Sequence, residues 1–209
     1  MKKIPDKQFA AFIAACHDVA NTHQLVRCSS GNMSWRVDAE RMLITGTRTW
    51  LGNQRKDQVA VVRISDNAAL NGCKPSVEAG FHAGVLRAQP EMNVVLHFQT
   101  PFATTLACCD GVEKVNFFVT PEVPYYIGEI GIVPFLQPGS EALADAVIAA
   151  MTKCDMVLLR NHGVVTVGES FDDAIQNAVF FELACEIIVR AGDKLRTMSK
   201  KDAKYLQNA

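Results

Sequence analysis

Two apolar runs in this chain end in histidine, Val94-Val95-Leu96-His97 and Val157-Leu158-Leu159-Arg160-Asn161-His162-Gly163. Short runs of this kind read as strands, and two strands that finish in imidazoles can bring distant histidines to one sheet edge. Imidazole is a common ligand of divalent metals, so His97 and His162 together read as part of a metal site. The bland alternative for either one alone is a hydrogen-bonded core residue. Glu78 lies upstream, four residues before His82 on a predicted helix, so the two share a helix face. A carboxyl group there could move a proton beside the metal ligands, or the pair could be an ordinary surface contact. Gln99 follows His97 by two and shares its strand face if the strand runs that far. Its amide oxygen could be a weak neutral ligand, or its side chain could hydrogen-bond substrate. His17 and His23, in and just after an amphipathic segment, read as structural or solvent-facing.

A second kind of chemistry is written in two hydroxyl-rich turns. Ser29-Ser30-Gly31-Asn32-Met33-Ser34 and Thr45-Gly46-Thr47-Arg48-Thr49 combine small side chains with glycine, and the second adds a guanidinium suited to phosphate or carboxylate. With Ser76 they suggest an oxyanion pocket, although composition alone slightly favours a plain turn for the first. Neither has the spacing of a P-loop or a dinucleotide fingerprint.

The elements that must hold these groups alternate along the chain. Helices are predicted from Asp6 as cap, with Phe9, Phe12, Ile13, Cys16 and Val19 on one face, and from Ser76 to Gln89. Others start at Thr100 with Pro101 in the first turn, near Ser140, and near Ser170. Strands are predicted at 33–37, 42–45, 59–64, 94–97, 115–119, 132–135, 156–160 and 164–167, with His162 at the tip of a hairpin or tight bend. The early strands follow one another without helices between them, which argues against a purely parallel sheet. The class is therefore α/β or α+β, with a mixed, largely antiparallel sheet covered by helices on both faces.

The 209 residues suit one domain, residues 1–209. With 49% apolar and 21% charged residues, the composition is that of a globular protein. A net charge of -1 gives no reason to expect nucleic-acid binding, and Lys2-Lys3 and Lys200-Lys201 read as solvated tails. The first residues lack the pattern of a secretory signal, and the apolar stretch 174–189 is interrupted by Gln176, Asn177, Glu182 and Glu186, so no membrane span is expected. Seven cysteines without a C-x-x-C pair fit a reducing compartment, and a cytoplasmic location is expected.

Six segments in order, Ser30-Gly31-Asn32-Met33-Ser34, Leu43-Ile44-Thr45-Gly46-Thr47, Pro75-Ser76-Val77-Glu78 with His82, Leu96-His97-Phe98-Gln99, the stretch from Gly128 to Ser140, and Asn161-His162-Gly163, resemble the class II aldolase/adducin family. Within it the chain is most similar to the L-fuculose-1-phosphate aldolases. The resemblance spans about residues 10–192. It implies a three-layer αβα fold, a fourfold homotetramer with active sites between subunits, and a divalent metal, typically zinc. His97 and His162 match two of the family's three histidine ligands, and Glu78 matches its proton-transfer group. Gly31, Asn32, Thr47 and Ser76 match positions that hold substrate phosphate.

Three departures accompany the resemblance. Gln99 stands where the second histidine of H-x-H is usual, so an imidazole is replaced by a weaker amide oxygen. Val77 replaces the second serine of S-S-E, and Arg48 replaces a common glycine, where its charge could grip the anion or mark a different substrate. Tyr205 is out of register with the family's C-terminal tyrosine. The first expectation is aldol cleavage of a ketose 1-phosphate to dihydroxyacetone phosphate and an aldehyde through a metal-stabilised enediolate. A sugar-phosphate 4-epimerase, a dehydratase or decarboxylase of the same family, and a non-catalytic adducin-like assembly protein remain as alternatives.

Overall fold

In a computed structural model, which describes residues 3–208, seven strands form one mixed sheet in the order β3-β2-β1-β4-β7-β6-β5. The strands are β1 (Asn32–Arg36), β2 (Arg41–Thr45), β3 (Val59–Arg63), β4 (Val94–Phe98), β5 (Ile130–Val133), β6 (Met156–Leu159) and β7 (Gly163–Gly168). Every neighbouring pair is antiparallel except β5 with β6. The helices are α1 (Asp6–His17), α2 (Ala79–Ala88), α3 (Pro101–Ala107), α4 (Glu141–Met151), α5 (Phe171–Ala191) and α6 (Lys200–Gln207). Among them none is long and apolar enough to cross a membrane.

Strand alternation divides the interior into two cores. Met33, Val94, Leu96, Phe98, Leu158 and Val164 join the core formed with α1, α3 and α5. Ile44, Val95, Val157, Val165 and Val167 join the core formed with α2 and α4. Because successive side chains on a strand point to opposite faces, this parity puts Asn32, Ser34 and His97 on the α2 side. Three layers with a mostly antiparallel sheet is the expected architecture.

Several boundaries differ from those expected. The run 115–119 is not a strand. The Asn116 side chain accepts the Phe118 N–H at 3.0 Å and the Phe117 carbonyl accepts the Val119 N–H at 2.8 Å, so local turns take up these backbone donors. Phe117 packs instead against Phe181. Strand β5 stops at Val133 because Pro134 has no N–H to offer a ladder. Helix α2 begins at Ala79 rather than Ser76: the Ser76 N–H donates to Thr45 at 3.0 Å, tying that turn to the end of β2. Asp6 is the first residue of α1, whose cap position is Pro5. Lys200 and Lys201, expected in a tail, open α6, where Ser199 accepts the Asp202 N–H.

The expected caps Ser140 and Ser170 accept the backbone N–H groups of Leu143 and Asp173. Thr100 works differently. Its hydroxyl donates to Glu182 of α5, and the Glu182 carboxylate accepts the Phe102 and Ala103 N–H groups, both at 2.9 Å. A carboxylate from another helix thus caps α3 and fixes the chain just beyond β4. Replacing Glu182 by Ala is expected to lower the unfolding free energy by about 2 kcal/mol in urea titrations. A change within about 0.5 kcal/mol, as for an ordinary surface site, would contradict this capping role.

Candidate metal centre

The two histidine-tipped strands converge as the spacing predicts. Strand β4 lies between β1 and β7, with His97 opposite Asn32 on one side and Val165 on the other. The β6–β7 hairpin closes at Leu159 and Gly163, with His162 in its turn. Gly163 is required here: a Cβ at this position would stand 2.6 Å from the Phe98 carbonyl oxygen, 2.8 Å from Gln99 Cγ and 3.0 Å from His97 Cε1. Its absence lets the turn press His162 against the end of β4, with ring centroids of His97 and His162 4.7 Å apart. Gly31 serves the other flank, with φ +71° and an imaginary Cβ 2.6 Å from the His97 carbonyl oxygen.

Glu78, at the start of α2, reaches between these rings. His97 Nε2 is 3.7 Å from its Oε2 and His162 Nε2 is 3.5 Å from its Oε1. One ligand atom from each of Glu78, His97 and His162 lies within 4.8 Å of the others, a group that could hold a metal ion. The His97 Nδ1–H donates to the Val164 carbonyl at 3.0 Å, so its Nε2 carries a lone pair directed at the carboxylate. Burial and the neighbouring His97 lower the His162 pKa to about 4, with Glu78 opposing, which leaves that imidazole neutral at pH 7. Glu78 Oε1 and His162 Nδ1 are both buried without a hydrogen-bond partner among the described residues. Acceptor atoms facing one another in a low-dielectric site, with one carboxylate oxygen unpaired, fit a cation and would be poorly matched to an empty core.

His82 is not in this group. Its ring is completely buried, stacks on Phe81, accepts from the Ser34 hydroxyl at Nδ1 (2.8 Å) and meets the Asn32 side-chain oxygen through Nε2. The Asn32 amide nitrogen then donates to Glu78 Oε2 at 2.7 Å. Asn32, expected among the phosphate-holding residues, therefore uses both ends of its amide inside the protein. Sequence reasoning did not link Ser34, Asn32 and His82, although Asn32 and Ser34 stand two apart on β1 and so share a face.

The remaining expected residues surround this cluster. The Thr47 N–H donates to the Lys74 carbonyl and the Ser76 hydroxyl accepts the Glu78 N–H at 3.3 Å, which brings the Thr45–Thr49 turn beside the 74–78 segment. Thr47 is half-buried and Arg48 exposed, with φ +59°. Gln99 lies beyond the end of β4, its N–H donating to Leu25, and its side chain borders the open groove lined by Arg27, Ser30 and Thr104.

The family model of the class II aldolase and adducin N-terminal domain matches residues 10–189. The chain belongs to the class II aldolase and adducin family. It is 32% identical over 183 residues to a 3-oxo-tetronate 4-phosphate decarboxylase of Haemophilus influenzae, covering 86% of each chain. It is 30% identical over 174 residues to an L-fuculose phosphate aldolase of Methanococcus vannielii, covering 83% of this chain and 91% of the other. The solved structure of YgbL from Escherichia coli, for which aldolase, epimerase and decarboxylase are all named, superposes with a TM-score of 0.89 at 26% identity, over 98% of this chain and 100% of that one. Class II aldolases are metal-dependent, and the Glu78–His97–His162 group, with Glu78 and His97 buried, is where this member could hold its ion.

Burial also gives the centre a pH signature in the metal-free protein. His82, like His162, is held well below the usual histidine range, by desolvation first and by His97 second. An unfolded chain protonates both near pH ~6.5 while the folded one does not, so stability is full above that pH and falls as the solution is acidified toward 4. A loss of at least about 2 kcal/mol between pH 7.5 and 5 is expected in urea titrations of metal-free protein, the amount that fully buried His82 contributes alone. Constant stability over that interval would contradict neutral buried histidines.

Proposed function

We propose that this protein is a metal-dependent decarboxylase of a 3-oxo sugar-acid phosphate, with 3-oxo-tetronate 4-phosphate as the model substrate. The observation that carries the proposal is a single carboxyl group, Glu78, with one oxygen unpaired among the described residues, beside the imidazoles of His97 and His162. The decarboxylase relatives, similar over most of both chains, support it.

The chemistry explains why one fold serves both reactions. In a 3-oxo-tetronate 4-phosphate the C1 carboxylate is β to the C3 carbonyl. When the C1–C2 bond breaks, CO2 departs and its bonding electrons pass into the C2–C3 enediolate. Protonation at C2 then gives dihydroxyacetone phosphate. Aldol cleavage of a ketose 1-phosphate passes through the same enediolate, but it also requires a base for the hydroxyl of the departing aldehyde. Decarboxylation requires only an acid, and Glu78 suffices.

In this reading His97 and His162 would hold a divalent ion, zinc being the best match to nitrogen and carboxylate donors, with Gln99 as a weak neutral donor in place of the family's third histidine and Glu78 completing the shell only while substrate is absent. The ion supplies positive charge beside the oxygens on which negative charge develops. Glu78, released to substrate and protonated from solvent, would deliver that proton to C2 from Oε1 and return to the carboxylate. Gly31, Thr47 and Ser76 cradle the phosphate, Asn32 lines the same corner, and Arg48 adds a charge where Val77 removes a hydroxyl. The proposal includes a cytoplasmic homotetramer with its sites at subunit boundaries. Val77, 61% exposed beside Glu78, offers a neighbouring subunit an apolar contact.

L-Fuculose 1-phosphate cleavage remains the second reading because similar aldolases share the site's fold. Wild-type protein loaded with zinc is expected to release CO2 from 3-oxo-tetronate 4-phosphate and to form dihydroxyacetone phosphate stoichiometrically. Glu78→Gln is expected to lower kcat by at least about 100-fold. Faster release of dihydroxyacetone phosphate from L-fuculose 1-phosphate would replace the decarboxylase reading by the aldolase one, and full activity of Glu78→Gln would remove the acid role.

A further inference from the structure

We propose that Asn32 and His82 are positioning residues that lock the Glu78 carboxylate in one orientation and leave Oε1 as its working oxygen. The inference rests on Glu78 being the proton-transfer group, but its geometric content stands independently.

Hydrogen-bond chemistry permits one assignment along this chain. The Glu78 carboxylate can only accept, so the Asn32 atom 2.7 Å from Oε2 is the amide nitrogen. The Asn32 oxygen must then face His82, and it accepts the Nε2–H. With its proton on Nε2, His82 has a free lone pair on Nδ1, which accepts the Ser34 hydroxyl at 2.8 Å. Ser34, His82 and Asn32 are all buried and come from two rigid elements, β1 and α2. The Phe81 ring stacked 4.6 Å from the imidazole fixes its plane.

The consequence lies at the far end. Glu78 Oε2 is committed to Asn32, whereas Oε1 is buried, unpartnered and turned toward His162 Nε2. A carboxylate free to rotate would present either oxygen to the ion or to substrate; this one presents Oε1. His82 is thus placed to act through Asn32 without touching metal or substrate, a supporting arrangement of the kind that tunes metal affinity about 10- to 100-fold.

Two measurements test this. Long-range 1H–15N spectra of metal-free, histidine-labelled wild-type protein at pH 7.5 are expected to show His82 as the Nε2–H tautomer. An Nδ1–H tautomer would overturn the proposal. Zinc affinity, read by competition with a chromophoric chelator, is expected to fall about 10- to 100-fold in His82→Leu. In His82→Gln, whose amide N–H can still donate to Asn32, it should stay within about threefold of wild type. Equal affinities in wild type and His82→Leu, or equal losses in both variants when near-ultraviolet circular dichroism shows native packing, would also overturn it. If His82→Leu does not fold, the tautomer decides. Neither readout uses a substrate, so failure of the decarboxylase assay would leave both intact.

Discussion

A carboxylate buried to 5% exposure between two imidazoles is costly unless something answers its charge. Asn32 answers one oxygen of Glu78, and the other has no hydrogen-bond partner among the described residues. The Val164 carbonyl fixes one imidazole proton away from the cluster, so His97 offers the carboxylate a lone pair. The site is therefore preorganised for a cation, and much of the surrounding structure reads as the means of keeping these three groups close. Gly31 and Gly163 permit approaches that any side chain would block, and Glu182 secures the chain leaving β4.

The sheet makes that convergence economical. Strand β4 is central, and its odd and even residues serve different purposes: Val94, Leu96 and Phe98 fill one core while Val95 and His97 face the other. On β1 the same parity aims Asn32 and Ser34 at α2 while Met33 packs behind them. A slip of one residue in the β1–β4 register would turn the polar set into the apolar core, so the hydrophobic pattern that secures the fold also secures the site.

Much of this was legible in the chain because it is local. Histidines at the ends of apolar runs, a glutamate before a helix and a glycine after the second histidine each sit inside short patterns. What was not legible depends on contacts across distance. Nothing near Thr100 announces that Glu182 will cap its helix, and the β-like run 115–119 reads as a strand until Asn116 takes a backbone donor for itself. The role of His82 was obscured for the same reason. Its i,i+4 relation to Glu78 suggested direct pairing, whereas the two communicate through Asn32, from a strand some fifty residues earlier. The expectation of aldol cleavage first, with decarboxylation as an alternative, reflected motifs the two reactions share; the similar decarboxylases reverse that order.

The central claim is that Glu78, His97 and His162 bind one divalent ion. X-ray absorption at the zinc edge of stoichiometrically loaded protein tests it most directly. The account predicts a nitrogen and oxygen shell at about 2.0–2.1 Å with imidazole scattering from two histidines, lost on His97→Ala or His162→Ala. A sulfur shell at about 2.3 Å, or a spectrum unchanged by both substitutions, would contradict it.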